Sequence, residues 1–211
     1  MINNFKLIKY GYQFKLSMVC SVLFMLMGIA VLSFFDFYKG PSMYLVFYCS
    51  FLLVIQVSNT LTASGMIKSS PRYRQFCLGM PRVINFIGFL ITVSVLMVIR
   101  LIQKGTIDGF MKCAGNELAA TGFMYFICLL YMAFVYKFFI ISVILFCISC
   151  SFSNVLVNII IHTYNFTFGQ GIGIAFLCMA VGMALLEIIG RAVYKIPPSK
   201  LAQPASLRKY M

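Results

Sequence analysis

One acid, Glu187, lies inside an apolar run, with Arg191 four residues further on. On a helix the two share a face. They read either as a surface ion pair whose ends reach the interface, or as a proton or cation relay facing a cavity. Uncharged polar side chains form a second group. Gln56, Ser58, Asn59, Thr60 and Thr62 fall in one apolar run. Asn154 and Asn158 stand at i, i+4 in another, and Asn85 opens a third. An unpaired polar group in hydrocarbon costs kilocalories, so each must face another helix or a water path. Two readings follow. The groups are interhelical hydrogen-bond glue, or they line a translocation path, for which Gln56, Asn59, Asn154, Asn158 and Glu187 are the candidates. Arg100, at the far end of its run, reads as a flanking residue that snorkels.

Hydrolytic chemistry would need more than this. His162 is the one histidine, and no HExxH, GxSG-type serine or paired intramembrane acids accompany it. The stretch 186–191, LEIIGR, lacks the doubled glutamate of intramembrane CAAX-type proteases. There is no Walker A sequence, so the chain does not itself hydrolyse ATP. Cys147 and Cys150 form a CxxC, but in the middle of a lipid-length run with no βαβ context. Most of the eight cysteines sit in such runs, where cysteine behaves as a small hydrophobe. No catalytic residue, metal site or cofactor is expected in this chain. Asn165-Phe166-Thr167 matches a glycosylation sequon, a signal too short to carry weight.

The elements that carry these residues are written in the composition. Of 211 residues, 62% are apolar and 10% charged. Soluble domains average roughly 45–50% and about 25%. The mean hydropathy is +0.98. Water is the wrong solvent for most of this chain. A helix needs ~20 apolar residues to cross the hydrocarbon core. Six runs qualify, at about 16–35, 43–63, 83–102, 118–136, 138–161 and 169–194. One helix over 118–161 would exceed roughly 60 Å, twice the core, so a turn at Lys137 divides it. The first run is too long for a signal-peptide core, and no A-x-A-like site follows it. The expected fold is an all-α integral membrane protein with one transmembrane domain over 1–196. The tail at 197–211 holds Pro197, Pro198 and Pro204 and is expected to be extended or disordered.

Charge orients the six spans. Seventeen Lys and Arg face four Asp and Glu, a net charge of +13. In so apolar a chain this marks membrane flanks rather than nucleic-acid binding. With both termini cytoplasmic, Lys39, Arg100, Lys104 and Lys112 lie outside and the other basic residues inside. That places the protein in a cell membrane, read as the bacterial inner membrane. With no Trp in the chain, Tyr and Phe supply the interfacial belt.

Three segments flank or pack the spans. Residues 1–15 mix Phe5, Tyr10, Tyr12 and Phe14 with Lys6, Lys9 and Lys15 and hold no acid. They read as an interfacial helix or as a frayed basic leader. The loop at 64–82 has helix grammar: Ser69 or Ser70 as cap, Pro71 in the first turn, and Gly79 with Pro81 at the end. A two-turn helix over 72–78 would expose Arg72 and Arg74 and offer Tyr73, Phe76 and Cys77 to a partner; otherwise the loop rests on anionic lipid. In the last span, Gly171, Ala175, Cys178 and Gly182 make a small-residue stripe. It serves packing within the chain or dimerisation.

This layout resembles the permease subunits of type-2 ATP-binding-cassette exporters. The likeness lies in the basic amphipathic N-terminal helix, six spans and the short helix between spans 2 and 3. The loop Ile67-Lys68-Ser69-Ser70-Pro71-Arg72 to Met80-Pro81 also resembles that of small Firmicute permeases. The resemblance implies an N-terminal elbow helix on the membrane. It implies a coupling helix at Ser70, Pro71, Arg72, Tyr73, Arg74 and Phe76 that docks a separate ATPase subunit. It also implies a permease dimer, homomeric or heteromeric, with ATP and Mg acting in the partner. Many members carry re-entrant helices between the last two spans, yet the gap at 162–168 is short. Either the stretch 154–168 is partly re-entrant or the feature is lacking. The expected function is export of an amphiphilic peptide, lipid or drug by alternating access. Two alternatives stay open. One is a non-transporting protein such as a bacteriocin immunity factor or scaffold. The other is the substrate-binding subunit of an energy-coupling-factor vitamin importer. The small-residue motif usual in the importer subunit's first span has only Gly28 and Ala30 to match it here.

Overall fold

The computed structural model describes residues 14–34, 73–75, 79–105, 107–135 and 163–194, with single positions at 144, 147, 148, 151, 155 and 159. Among these there are helices and no strands. The long ones are α1 (Phe14–Phe34), α2 (Met80–Lys104), α3 (Ile107–Val135) and α4 (Phe168–Tyr194). Three contain stretches long and apolar enough to cross a membrane: Met80–Lys104, Ala114–Phe134 and Phe168–Val193. The 25 residues of α2 rise about 37 Å at 1.5 Å each, against a core of about 30 Å. The chain is therefore a membrane-embedded helical protein. In α1 the apolar stretch Lys15–Ala30 is shorter.

Helices α1 and α4 fall on the expected spans at 16–35 and 169–194, and α2 contains the one at 83–102. The span at 43–63, nearly all of the interfacial segment 1–15 and the tail 197–211 lie outside the described residues. So does most of 138–161. There Ile144, Cys147, Ile148, Ser151, Val155 and Ile159 are helical and exposed. Steps of three, one, three, four and four residues put them on one helical stripe.

The connection after α2 differs from expectation. The segment 103–117 was expected to be an outer loop, with span 4 beginning at 118. Instead α3 begins at Ile107, and two residues join the helices. Gly105 makes the turn at φ 61°, a left-handed conformation that only glycine adopts without strain, and its N–H donates to the Leu101 carbonyl at 3.2 Å. The helix runs through the charged stretch because Asp108 sits in its first turn, where negative charge suits the dipole, and because Glu117 finds a buried partner. At the other end of α2, Gly79 and Pro81 lie in the opening of this helix. Gly79 is the N-cap residue and proline occupies the first turn, where its missing N–H costs nothing.

Helix α3 is the centre: two-thirds of its spanning window is buried, against about a third of those of α2 and α4. It runs antiparallel to α2, with residues 85, 92 and 100 facing 132, 125 and 117. It runs parallel to α4. Gly115 meets the Phe166 and Gly171 backbones, Gly122 meets Ala175, and Gly182 meets Leu129. A Cβ on Gly122 would come 2.5 Å from the Ala175 Cα. The stripe Gly171, Ala175, Cys178 and Gly182 is thus used within the chain, where glycine allows two backbones to close together. Phe89 of α2 joins all three helices, packing edge-on against Tyr125 and Phe176 with ring centroids 5.4 Å apart in both pairs.

The start of α4 is fixed by a reciprocal cap. The Thr167 N–H donates to Gln170 Oε1 at 3.0 Å, and the Gln170 N–H donates to Thr167 Oγ1 at 3.4 Å. From α3, the Asn116 amide donates to the Tyr164 carbonyl at 3.1 Å and accepts from the Phe166 N–H at 2.9 Å. Residues 164–167 are non-helical. The Thr167 hydroxyl of the sequon is thus a helix cap, while Asn165 is exposed.

Candidate functional site

Two polar assemblies stand out among the described residues. The first is a ladder between α2 and α3. Asn85 donates to Met132 Sδ at 2.7 Å, Thr92 and Tyr125 share a hydroxyl–hydroxyl bond of 2.8 Å, and Arg100 Nε lies 3.0 Å from Glu117. All six side chains are buried. The rungs come every seven or eight residues, two helical turns, so they lie on one seam. Arg100 is therefore not a snorkelling flank: it and Glu117 are each 2% exposed. Its Nη1 donates to Gln103 Oε1, and the Gln103 amide donates to the Ser33 carbonyl at 3.0 Å, which ties α1 to the rung. Each rung thereby pairs two buried side chains with each other in place of water.

The second assembly lies at the opposite end of α2, where charge is concentrated. Glu187 sits two turns before the end of α4. Its Oε1 accepts from Arg191 Nε at 2.5 Å. Its Oε2 stands 2.8 Å from Arg82 Nη1, and Arg74 Nη2 lies 3.8 Å from Oε1. Three segments meet here: the helical turn at 73–75, the first turn of α2 and the last turns of α4. Each arginine is placed by something else. Arg82 follows Pro81 in the opening turn, Arg191 is one turn beyond Glu187, and Arg74 follows Tyr73, which packs on the hydrophobic core. Glu187 is 21% exposed and the arginines 37–60%. Three guanidinium charges surround one carboxylate, and the excess is positive.

The expected Glu187–Arg191 pair is present, but it is part of this larger group. The structure also unites two candidates that the sequence treated apart, since Arg74 of the loop reaches Glu187 of the last span. Tyr73, Arg74 and Gln75 are helical within the expected helix at 72–78. Ser70, Pro71, Arg72 and Phe76 lie outside the described residues, as do Gln56, Asn59, Asn154, Asn158 and His162. Two polar positions escaped the sequence reading, Thr92 and Tyr125, and a third, Glu117, reads there as a charge on the outer side although it is buried against Arg100. Their signal was the spacing. Asn85, Thr92 and Arg100 repeat at two-turn intervals, and Glu117, Tyr125 and Met132 mirror them. The Thr167-x-x-Gln170 cap was equally legible.

Comparison with protein-family models, curated proteins and solved structures finds no match. The likeness to type-2 permeases therefore rests on the sequence layout and the loop at 67–81 alone.

Proposed function

We propose that this chain is the permease subunit of an ATP-driven exporter, a multi-pass protein of the bacterial cytoplasmic membrane that works by alternating access. ATP and Mg act in a separate ATPase subunit that docks on the loop between spans 2 and 3, and the permease works as a dimer. The observation that carries this reading is the attachment of Tyr73 and Arg74. Tyr73 packs on the core and Arg74 reaches Glu187, so the loop turn is fastened to the last span. A push on that turn would pass to α4 through Glu187 and to α2 through Arg82. The outward surface stays basic, suited to an acidic groove on a partner.

Topology supports the six-span layout. Ser33 of α1 meets Gln103 near the end of α2, and Arg82 near the start of α2 meets Glu187 near the end of α4. Phe34 and Met80 therefore stand at opposite ends of the bundle. So do Val135 and Phe168, because α3 and α4 run parallel. Spans at 43–63 and 138–161 would carry the chain back between the members of each pair.

One observation favours a second reading, a non-transporting protein such as a bacteriocin immunity factor. The buried polar groups of the described bundle pair with one another along the α2–α3 seam rather than lining a path. One experiment separates the readings. The tagged chain is purified from native membranes in mild detergent beside Arg72→Glu/Arg74→Glu, and bound proteins are identified by mass spectrometry. The permease reading expects a Walker A protein at about one to one that the double variant loses. A chain that comes down alone leaves the immunity or scaffold reading. A transmembrane coupling subunit arriving with two ATPases would indicate the vitamin importer instead.

A further inference from the structure

The arginines around Glu187 hold more charge than that carboxylate neutralises. Arg74, Arg82 and Arg191 bring three positive charges to one negative charge. Each guanidinium carries five N–H groups in a planar fork, and one carboxylate offers about four acceptor sites. The forks of all three converge within hydrogen-bonding or ion-pairing range of the same two oxygens, so they stand close together although they come from three separate segments. Glu187 occupies the inner side at 21% exposure, while Arg74 at 55% and Arg191 at 60% form the outer side.

Depth matters as much as charge. Glu187 lies seven residues before the end of α4, about 10 Å along the helix axis. In a helix of 27 residues spanning the bilayer, that depth would fall near the passage from hydrocarbon to headgroups. A planar, weakly hydrated guanidinium is the side chain best suited to phosphate oxygens there, because it binds two of them at once. Basic pockets between spanning helices near one membrane face are suited to phosphate headgroups. We propose that Arg74, Arg82 and Arg191 form a binding site for a phosphate-bearing anion, carried on a lipid headgroup or free in solution. Glu187 holds the arginines in register and the bound phosphate meets their outer side. This site does not depend on the permease reading, since it needs neither an ATPase nor a transported substrate.

The test uses the full chain reconstituted in phosphatidylcholine nanodiscs with and without phosphatidylglycerol, with native mass spectrometry of the lipid retained on release. Phosphatidylglycerol is expected to be retained in preference to phosphatidylcholine. Arg82→Gln and Arg191→Gln should each reduce that preference about fivefold. Arg82→Lys, which keeps the charge and loses the fork, should fall between. Equal retention of the two lipids by the unaltered chain overturns the proposal, and this comparison stands even where a glutamine variant does not fold. Arginine variants that retain phosphatidylglycerol like the unaltered chain also overturn it. Inorganic phosphate, set against chloride at equal ionic strength, separates the two sources. Displacement of phosphatidylglycerol by phosphate assigns the site to phosphate in general. Indifference to it assigns the site to the lipid headgroup.

Discussion

Replacing Arg100 with leucine removes the guanidinium from a carboxylate that is 2% exposed. An ion pair this deep is weak evidence for stability as a pair, because both charges leave water to form it. Breaking it is another matter, since the remaining charge has nothing comparable to face. Arg100→Leu is expected to cost about 3–5 kcal/mol. Arg100→Met with Glu117→Leu should recover most of that loss. Unfolding midpoints of the detergent-solubilised protein check both, and equal destabilisation by the single and double variants would refute the pairing. At the other end of the bundle the same chemistry serves a different purpose. The Glu187 group is partly exposed, so its ion pairs contribute little to stability and its charge remains available to a ligand or partner.

At the scale of the element, the decisive contact is the glycine seam between α3 and α4. Gly122→Leu would drive a side chain into the Ala175 backbone, which cannot step aside without separating the helices. Overpacking of this kind costs about 1–3 kcal/mol. Gly173→Leu, on the facing helix α4, has open space around its Cβ and should change stability by less than about 0.5 kcal/mol. Thermal melts of the two variants give the contrast, and similar melting shifts would argue against a seam on this face. A gentler probe lies at the start of α4. Thr167→Ala removes one half of the reciprocal cap and is expected to cost about 1 kcal/mol in the same assay.

At the scale of the whole molecule, parallel α3 and α4 govern the topology. Parallel neighbours cannot be joined by a tight turn, and 32 residues lie between Val135 and Phe168, enough for a return span. As one helix the 28 residues at 136–163 would rise about 42 Å, ample for a core of about 30 Å. The expected consequence is that Gly105 and the end of α4 face opposite sides of the membrane. Reporter insertion at Gly105 should be active as alkaline phosphatase and dark as a fluorescent protein. The same reporters after Tyr194 should give the reverse. Matching signals at the two sites would refute the six-span arrangement.

Hydrophobic run length settled early what kind of protein this is, because lipid imposes a length and a polarity on any helix that crosses it. Helix α4 falls on a run that this rule marks, and the Glu187–Arg191 pair needs only a helix. The rule fails at 103–117, where the charged residues continue into α3 instead of marking its edge. Glu117 and Arg100 are 17 residues apart in sequence, and nothing local shows that each will neutralise the other inside the bundle. The small-residue stripe of α4 posed the same difficulty: its composition permits close approach and does not say to what. Only the packing of α3 against it decided that the partner lies in the same chain. Likewise, the sequence presents Arg74 and Arg82 as residues of one loop and Glu187 as part of a span. Their meeting depends on two helices returning to one end of the bundle, a relation between distant segments that only tertiary structure can fix.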